Sequence, residues 1–172
     1  MGSPKRIMIF GRPGSGKSTF AVKLSKKLGL PLYHLDKYFF TSHWVERPYD
    51  EFLEIQKNLI HQDRWIIDGN SVQSLAMRYD RADLVIYMDR CRYLCLFRLI
   101  KRCFSKNRPI DDRAPHCPEI LRWRLIRYMW TFPKRVEAFL KLTEKDDRHK
   151  TFITLKNEAE IQKFFKCDSH DS

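Results

Sequence analysis

Short apolar runs alternate along the chain with segments in which apolar residues recur every three or four positions. The runs are typical of buried strands, and the periodic segments have the spacing of amphipathic helices. The run at 82–88 has only Asp83 as a polar residue, so we expect a strand that is buried in a parallel sheet. The pattern predicts strands at 5–10, 31–35, 65–67, 82–88 and 151–155 and helices at 18–28, 51–60, 74–79, 94–104, 119–142 and 158–165.

The alternation of strands and helices predicts an α/β fold, in which right-handed crossovers cover both faces of a parallel sheet. A chain of 172 residues has room for one domain with a sizeable core, and no repeat, low-complexity tract or linker divides it. We therefore expect a single domain over residues 1–172. Pro133 falls inside the longest predicted helix, where it predicts a kink.

No apolar run approaches the roughly 18 residues of a membrane span, and the run at 7–10 is too short for the core of a signal peptide. The sequence therefore predicts a cytoplasmic protein without a membrane partner. Its five cysteines are an odd number and contain no C-x-x-C pair, so we expect free thiols.

The charge of the chain narrows the class of ligand. There are 33 Lys and Arg residues against 21 Asp and Glu, which gives a formal net charge of +12 and a pI of about 9.6. Polyanions are the natural partners of such a protein, so nucleic acid and phosphorylated small molecules are both candidates. The basic residues are densest at 90–135 but form no long unbroken block, which argues against a disordered nucleic-acid-binding tail.

A glycine-rich segment between the first predicted strand and the first predicted helix carries the most specific chemistry. Its sequence, Gly-Arg-Pro-Gly-Ser-Gly-Lys-Ser at 11–18, matches G-x-x-x-x-G-K-[ST] in the strand–loop–helix context that a phosphate-binding loop requires. Glycines let successive N–H groups point at phosphate oxygens. Lys17 is expected to reach the outer phosphates of ATP, and Ser18 to offer its hydroxyl to Mg2+. The predicted nucleotide-binding residues here are Gly11, Arg12, Pro13, Gly14, Ser15, Gly16, Lys17, Ser18 and Thr19.

Further motifs accompany this loop and make the sequence similar to a known family. They are Tyr-His-Leu-Asp at 33–36, Trp-Ile-Ile-Asp-Gly-Asn at 65–70, the pair Arg98 and Arg102, His-Cys-Pro-Glu at 116–119, Trp123 and Phe-Pro at 132–133. With them, nearly the whole chain resembles the topology-modulation proteins, which belong to the adenylate-kinase-like P-loop kinases. The resemblance implies a P-loop NTPase fold with five parallel strands in the order 2-3-1-4-5 and a short lid at about 105–118. It also implies an ATP-dependent kinase that uses Mg2+ and whose phosphoryl acceptor is poorly defined.

Two carboxylates follow predicted strands. Asp68 ends the third strand, where the edge of a parallel sheet faces a ligand crevice, and is expected to hold Mg2+ or its waters; capping of the next turn is the alternative. In related small-molecule kinases a carboxylate at the place of Asp36 holds the acceptor or orients its hydroxyl, with helix capping as the alternative. We predict that Asp36 binds the acceptor and is the base-like catalytic group, because phosphoryl transfer needs an oriented nucleophile more than a strong base.

Arg98 and Arg102 lie four positions apart on a predicted helix and so share a face. Guanidinium groups suit the negative charge that spreads over a transferring phosphoryl group. In adenylate-kinase-like proteins such a pair precedes the lid, which implies that Arg98 contacts the adenine side of ATP and that Arg102 is a catalytic contact to the transferred phosphate. A solvated basic face is the alternative.

The acceptor site is less well defined by the sequence. We predict that Gly69 and Asn70 belong to it. Arg47 and Arg78 could grip an anionic acceptor, although either could equally be a surface residue, and Arg78 could instead pair with a neighbouring Asp. Nucleoside monophosphate kinases such as adenylate kinase usually carry an arginine where this chain has Val72. Unless Arg78 replaces that arginine, the acceptor need not be a nucleoside monophosphate, and a hydroxylated metabolite stays open.

Two functions from different classes follow. The first is an ATP-dependent kinase for a nucleotide or similar small acceptor. The second is a nucleic-acid-associated regulatory protein, concerned with DNA topology, that uses ATP binding for control; the aromatic and basic residues interleaved in the helix at 119–142 could stack on bases. In the predicted lid, His116 and Cys117 supply too few ligands for zinc. The sequence defines neither the oligomeric state nor a preference for ATP over GTP.

Overall fold

The computed structural model describes residues 4–104, 110–112, 114–117, 121–146 and 150–167. Within them, five strands form one parallel sheet in the order β2-β3-β1-β4-β5, which confirms the expected fold class and strand order. The strands are β1 (Arg6–Gly11), β2 (Leu32–His34), β3 (Trp65–Asp68), β4 (Leu84–Met88) and β5 (Thr151–Leu155).

The three central strands form the buried middle of the sheet. Every residue of β3 and β4 is buried, as is every residue of β1 after Arg6. Helices cover both faces of the sheet, so these strands read as continuous apolar runs instead of alternating apolar and polar positions. At one edge, β5 keeps several of its residues partly or fully exposed.

The helices within the described residues largely follow the predicted periodicity. They are α1 (Lys17–Leu28), α2 (Leu35–Phe39), α3 (Tyr49–Ile60), α4 (Leu75–Arg81), α5 (Arg92–Phe104), α6 (Trp123–Glu144) and α7 (Glu158–Cys167). The sequence did not predict α2, because five residues are too few for a helical period to show. The predicted start of the long helix at 119 lies outside the described residues, and α6 continues through Pro133.

Each face of the sheet has its own hydrophobic core, because successive side chains of a strand point to opposite faces. Met8 and Phe10 belong to the core that the sheet forms with α3, α4 and α6. Ile7 and Ile9 belong to the core formed with α1 and α7. In the first core Phe10 stacks on Tyr87, with 4.8 Å between the ring centroids.

The parallel arrangement brings the ends of three neighbouring strands to one edge of the sheet. Gly11, His34 and Asp68 are the last residues of β1, β2 and β3, and α1 begins at the same edge. In open α/β sheets, ligands bind in the crevice at this edge. The fold therefore places the phosphate loop and the predicted carboxylates side by side.

Three further features bear on the expectations from sequence. Cys91, Cys95, Cys103 and Cys117 are free cysteines. Among the described residues, no helix combines the length and the apolar character needed to cross a bilayer. Of the predicted lid, residues 110–112 and 114–117 are described, and its other positions lie outside the described residues.

Candidate active site

The loop between β1 and α1 is tightly curled because its glycines adopt conformations that other residues rarely take. Gly11, Gly14 and Gly16 have φ angles of +152°, +80° and +94°. A Cβ atom on Gly11 would lie 2.5 Å from the carbonyl oxygen of Met88, and one on Gly14 would lie 2.4 Å from that of Cys95. These close approaches leave no room for a side chain, so the backbone of the loop packs directly against β4 and α5.

Hydrogen bonds to carbonyl oxygens hold the loop in this shape. The N–H of Ser15 donates to the carbonyl oxygen of Arg12 at 3.1 Å, and Nζ of Lys17 donates to the same oxygen at 3.2 Å. From α5, Nη1 of Arg98 donates to the carbonyl oxygen of Ser15 at 3.1 Å. Lys17 and Arg98 thus both contact the loop, and their predicted contacts with ATP stay predictions.

A small cavity of about 30 Å³ opens beside Lys17, where β2 and β3 end. Its lining joins the phosphate loop to both predicted carboxylates: Lys17, Ser18, His34, Asp36, Asp68, Gly69, Asn70 and Asp112. Six of these residues were predicted from the sequence, whereas His34 and Asp112 were missed. The position of His34 at the end of a strand, two residues before Asp36, is the signal that could have found it.

Asp68 is the buried carboxylate of this cavity. Its Oδ2 lies 3.0 Å from Nδ1 of His34, while its buried Oδ1 has no hydrogen-bond partner among the described residues. Burial raises the pKa of Asp68, but the hydrogen bond with His34 and the charge of Lys17 outweigh it and hold the pKa below its ordinary value. Asp68 is therefore ionised at neutral pH and keeps one oxygen atom for a ligand.

The oxygen atoms that line the cavity suit Mg2+. Magnesium prefers hard oxygen ligands and keeps several waters, so the protein usually supplies only one or two groups. Asp68, whose Oδ1 has no partner in the described part of the chain, and Ser18, which carries a hydroxyl, both line the cavity. Across the described ranges, no cluster of three or more His, Cys, Asp or Glu side chains is arranged to hold a metal. The residues present thus fit a magnesium ion that is shared with a nucleotide.

Asp36 lies on the open side of the cavity, in the first turn of α2, and is exposed. Desolvation by the surrounding protein raises the pKa of its carboxyl to about 6; the charges of Asp68 and Asp112 act in the same direction, and Lys17 opposes them. Because water reaches Asp36, solvent screening limits these contributions. The group is largely ionised at neutral pH and takes up a proton more easily than an ordinary aspartate.

Arg78 does not face the cleft. It is completely buried and donates three hydrogen bonds to backbone carbonyls: Nη1 to Gly69 at 3.1 Å, Nη2 to Ser71 at 2.8 Å and Nε to Ser74 at 3.4 Å. Burial lowers the pKa of Arg78 to about 10, although the charge of Asp68 opposes the shift. The prediction that Arg78 grips an acceptor finds no support in this arrangement, because its guanidinium holds the chain segment after β3.

Arg47 is also engaged with neighbouring groups. Its Nε donates to the carbonyl oxygen of Tyr38 at 2.9 Å, and Nη1 lies 3.5 Å from a carboxylate oxygen of Glu51. These contacts tie Arg47 to α2 and to the first turn of α3. Its acceptor contact stays a prediction.

Gly69 and Asn70 form part of the cavity wall and also connect it to the frame of the fold. The side-chain oxygen of Asn70 accepts the N–H of Gly11 at 3.1 Å, and its carbonyl oxygen accepts the hydroxyl of Tyr128 at 2.8 Å. A Cβ atom on Gly69 would lie 2.5 Å from Cβ of Leu35. This wall is therefore fixed to the phosphate loop, to α2 and to α6.

The remaining predicted residues lie around the loop. Nη2 of Arg12 is 3.9 Å from a carboxylate oxygen of Asp89, Pro13 is half-buried, and Thr19 is exposed in the first turn of α1. Arg102 is exposed on α5, and the described lining of the cavity does not include it. Its contact with a transferred phosphate stays a prediction.

The described part of the predicted lid contacts the segment that follows β2. Lys37 on α2 forms an ion pair with Asp111, and the rings of His43 and His116 stack with 5.6 Å between centroids. Sγ of Cys117 accepts the N–H of Trp44 at 3.2 Å. Beside these contacts lies a second cavity of about 450 Å³, lined by Lys37, Ile110, Asp111, Asp112, Ala114, Pro115 and His116. This volume is in the range of small-molecule sites, and Asp112 lines both cavities.

Solved structures of two kinds of kinase are similar to this chain. Shikimate kinase from Acinetobacter baumannii in complex with shikimate matches with a TM-score of 0.63 and 16% identity, over 96% of this chain and 93% of that chain. Shikimate kinase from Aquifex aeolicus matches with a TM-score of 0.56 and 19% identity, over 97% and 99%. Deoxyadenosine kinase from M. mycoides with bound dATP has a TM-score of 0.53 and 19% identity, over 96% and 100%.

At these identities the likeness shows the fold alone, which this chain shares with the three solved structures. No protein-family model matches the chain, and no curated protein matches it in sequence.

Proposed function

We propose that the protein is an ATP- and Mg2+-dependent phosphotransferase that acts on a nucleotide or a similar small, hydroxylated acceptor. The observation that carries this proposal is the single cavity that joins Lys17 and Ser18 of the phosphate loop to Asp36 and Asp68. A phosphate loop alone could serve binding only. Beside this loop, Asp68 has a buried oxygen that has no partner within the described ranges and suits Mg2+, and Asp36 lines the same cavity, where it can orient a hydroxyl; phosphoryl transfer uses groups in both roles.

On the nucleotide side, the N–H groups of the loop bind the phosphates of ATP, and Lys17 contacts the outer phosphates. Mg2+, held by Ser18 and Asp68 when bound, neutralises the charge that develops during transfer. Arg98 contacts the adenine side, in keeping with its bond to the loop, and Arg102 contacts the transferred phosphate.

On the acceptor side, Asp36 accepts a hydrogen bond from the acceptor hydroxyl and orients its oxygen toward the γ-phosphorus. As the new bond to phosphorus forms, the hydroxyl proton passes to a carboxylate oxygen of Asp36, and ADP leaves with the bonding electrons of the broken P–O bond. The second cavity, on the far side of Asp112, offers space for the rest of the acceptor. The burial of Arg78 favours a hydroxylated acceptor over a nucleoside monophosphate.

Membership of the topology-modulation proteins is part of this proposal, and it is supported by the sequence motifs alone. The alternative role in DNA topology is supported by the net charge of +12, and the similar solved structures add no support for it. Two polyphosphorylated ligands also need a positive protein, so the charge does not favour nucleic acid over them. A cytoplasmic location is part of the same proposal.

The experiment is a measurement of ADP release from ATP across a panel of acceptors, namely nucleoside monophosphates, nucleosides, and sugar and cyclitol alcohols. We expect at least one acceptor to raise ADP release above the rate with water, with dependence on Mg2+. Binding of ATP without any acceptor-dependent release would contradict the proposal and favour a regulatory role for the nucleotide. Binding to single- or double-stranded DNA that weakens with salt would point to the alternative.

A further inference from the structure

The register of β2 and β3 places an unassigned histidine directly opposite Asp68. These parallel strands pair His34 with Asp68 at the last position of each strand. Neighbouring strands lie about 4.8 Å apart, so side chains at paired positions on one face can meet. Both side chains are buried, with 8% of His34 and 5% of Asp68 exposed.

The contact between them uses one oxygen of the carboxylate. Nδ1 of His34 lies 3.0 Å from Oδ2 of Asp68. An ionised carboxylate only accepts hydrogen bonds, so Nδ1 of the imidazole is the donor. Oδ1 of Asp68 is buried and has no hydrogen-bond partner among the described residues, and Asp68 lines the small cavity together with Lys17 and Ser18. The bond from His34 therefore fixes which oxygen stays available there.

We propose that His34 is a positioning residue that holds the carboxylate of Asp68 in place for Mg2+, an inference that rests on the proposed function. Carboxylates that ligate metals are themselves hydrogen-bonded, and loss of such an outer partner typically weakens metal binding. His34 also lines the cavity, next to Asp36. It acts through Asp68.

The test compares three substitutions at His34 that differ in reach and polarity. His34→Asn keeps an N–H donor near the place of Nδ1, His34→Gln carries its amide further out, near the place of Nε2, and His34→Leu removes the donor. Mg2+ is titrated by calorimetry into each protein saturated with a non-hydrolysable ATP analogue. The affinity for the analogue is measured separately without metal.

We expect His34→Leu and His34→Gln to weaken Mg2+ binding by about 10- to 100-fold, the range for outer partners of metal ligands. His34→Asn should weaken Mg2+ binding by less than about 10-fold. Affinity for the metal-free analogue should be the same in all three variants and in the wild-type protein, because the proposed role of His34 is exerted on the metal through Asp68.

Equal Mg2+ affinity in the Asn and Gln variants would overturn the inference, since a merely structural histidine gives no reason for them to differ. A parallel loss of metal-free analogue binding would overturn it as well. If thermal unfolding shows that His34→Leu does not fold, the difference in Mg2+ affinity between His34→Asn and His34→Gln still tests the inference. A wild-type protein that fails to bind the analogue, or binds it without any effect of Mg2+, would instead remove the proposed function.

Discussion

In the proposed site, the nucleotide side is formed mainly by the backbone of the loop at 11–18, whereas the acceptor side is formed by side chains of α2 and of the predicted lid. The loop packs so closely that no Cβ fits at Gly11 or Gly14. Across the cleft, Asp36 is exposed, and the ion pair of Lys37 with Asp111 lies at the surface. The comparison teaches that a short sequence motif defines the nucleotide side almost completely. The acceptor side depends instead on which side chains the tertiary packing leaves exposed to the cleft.

The largest effect is expected from Lys17→Ala, on the nucleotide side. Loss of a preorganised electrostatic group costs roughly 3 to 4 kcal/mol of transition-state stabilisation, so turnover should fall by about two to three powers of ten. Stability should change by only about 0.5 kcal/mol, as at ordinary surface sites. Steady-state kinetics and thermal unfolding measure the two effects, with Lys23→Ala on the exposed side of α1 as the control.

A variant Lys17→Ala that keeps normal turnover would show that the loop does not act on ATP. If it unfolds instead, the bond of Lys17 to the carbonyl oxygen of Arg12 is the important one.

Arg78→Leu tests whether Arg78, which the sequence placed in the acceptor site, instead stabilises the fold. The substitution leaves three carbonyl oxygens near the cavity without their charged donor, so we expect the free energy of unfolding to fall by at least about 3 kcal/mol. Arg47→Ala, which removes a partly exposed arginine, should cost about 1 kcal/mol or less. Urea denaturation measures the free energy of unfolding of both variants. Equal losses of stability would contradict a special role of Arg78 in the fold.

Much of the nucleotide side could be predicted from the sequence, because its geometry demands particular residues at fixed spacing. Glycine is required at Gly11 and Gly14, and Asp68 follows from an apolar strand that ends at the ligand edge. Arg78 could not be placed, because the packing of α4 beneath the segment after β3 decides its burial. His34 was missed because its contact with Asp68 depends on the register between two strands.

Asp36→Asn should reduce turnover by roughly a hundredfold, the lower end of what a positioned proton acceptor contributes. In the wild-type protein, turnover should fall as pH drops through about 6, where Asp36 takes up a proton, and this limb should vanish in the variant. Asp50→Asn, at an exposed position of α3, is the control. An unchanged pH profile in Asp36→Asn would assign the acidic limb to another group.

The raised pKa of Asp36 also affects the stability of the fold. Its pKa in the folded protein lies above the ordinary value, so at pH values between these two pKa values the folded state binds more protons than the unfolded state. The contribution of Asp36 to stability therefore declines as pH rises from about 4 to about 6. Asp36→Asn should be more stable than the wild-type protein at neutral pH in thermal unfolding.

The smallest effect is expected from Lys37→Ala, which breaks an ion pair between α2 and the lid. Asp111 is largely exposed, so the free energy of unfolding should change by less than about 1 kcal/mol. If the described lid residues cover the acceptor, KM for the acceptor should rise while KM for ATP stays the same. A double-mutant cycle with Asp111→Ala isolates the pair, and a larger effect on ATP than on the acceptor would reverse the assignment of sides.

The central claim is that this site transfers the γ-phosphoryl group of ATP to a small molecule. Its most direct test is to incubate the protein with γ-labelled ATP and a cell extract freed of proteins and nucleic acids, and to separate the labelled products. We predict a labelled small molecule other than ATP and inorganic phosphate, formed by the wild-type protein and about two to three powers of ten more slowly by Lys17→Ala. Label that stays in ATP and inorganic phosphate, in a protein shown to bind ATP, would contradict the account.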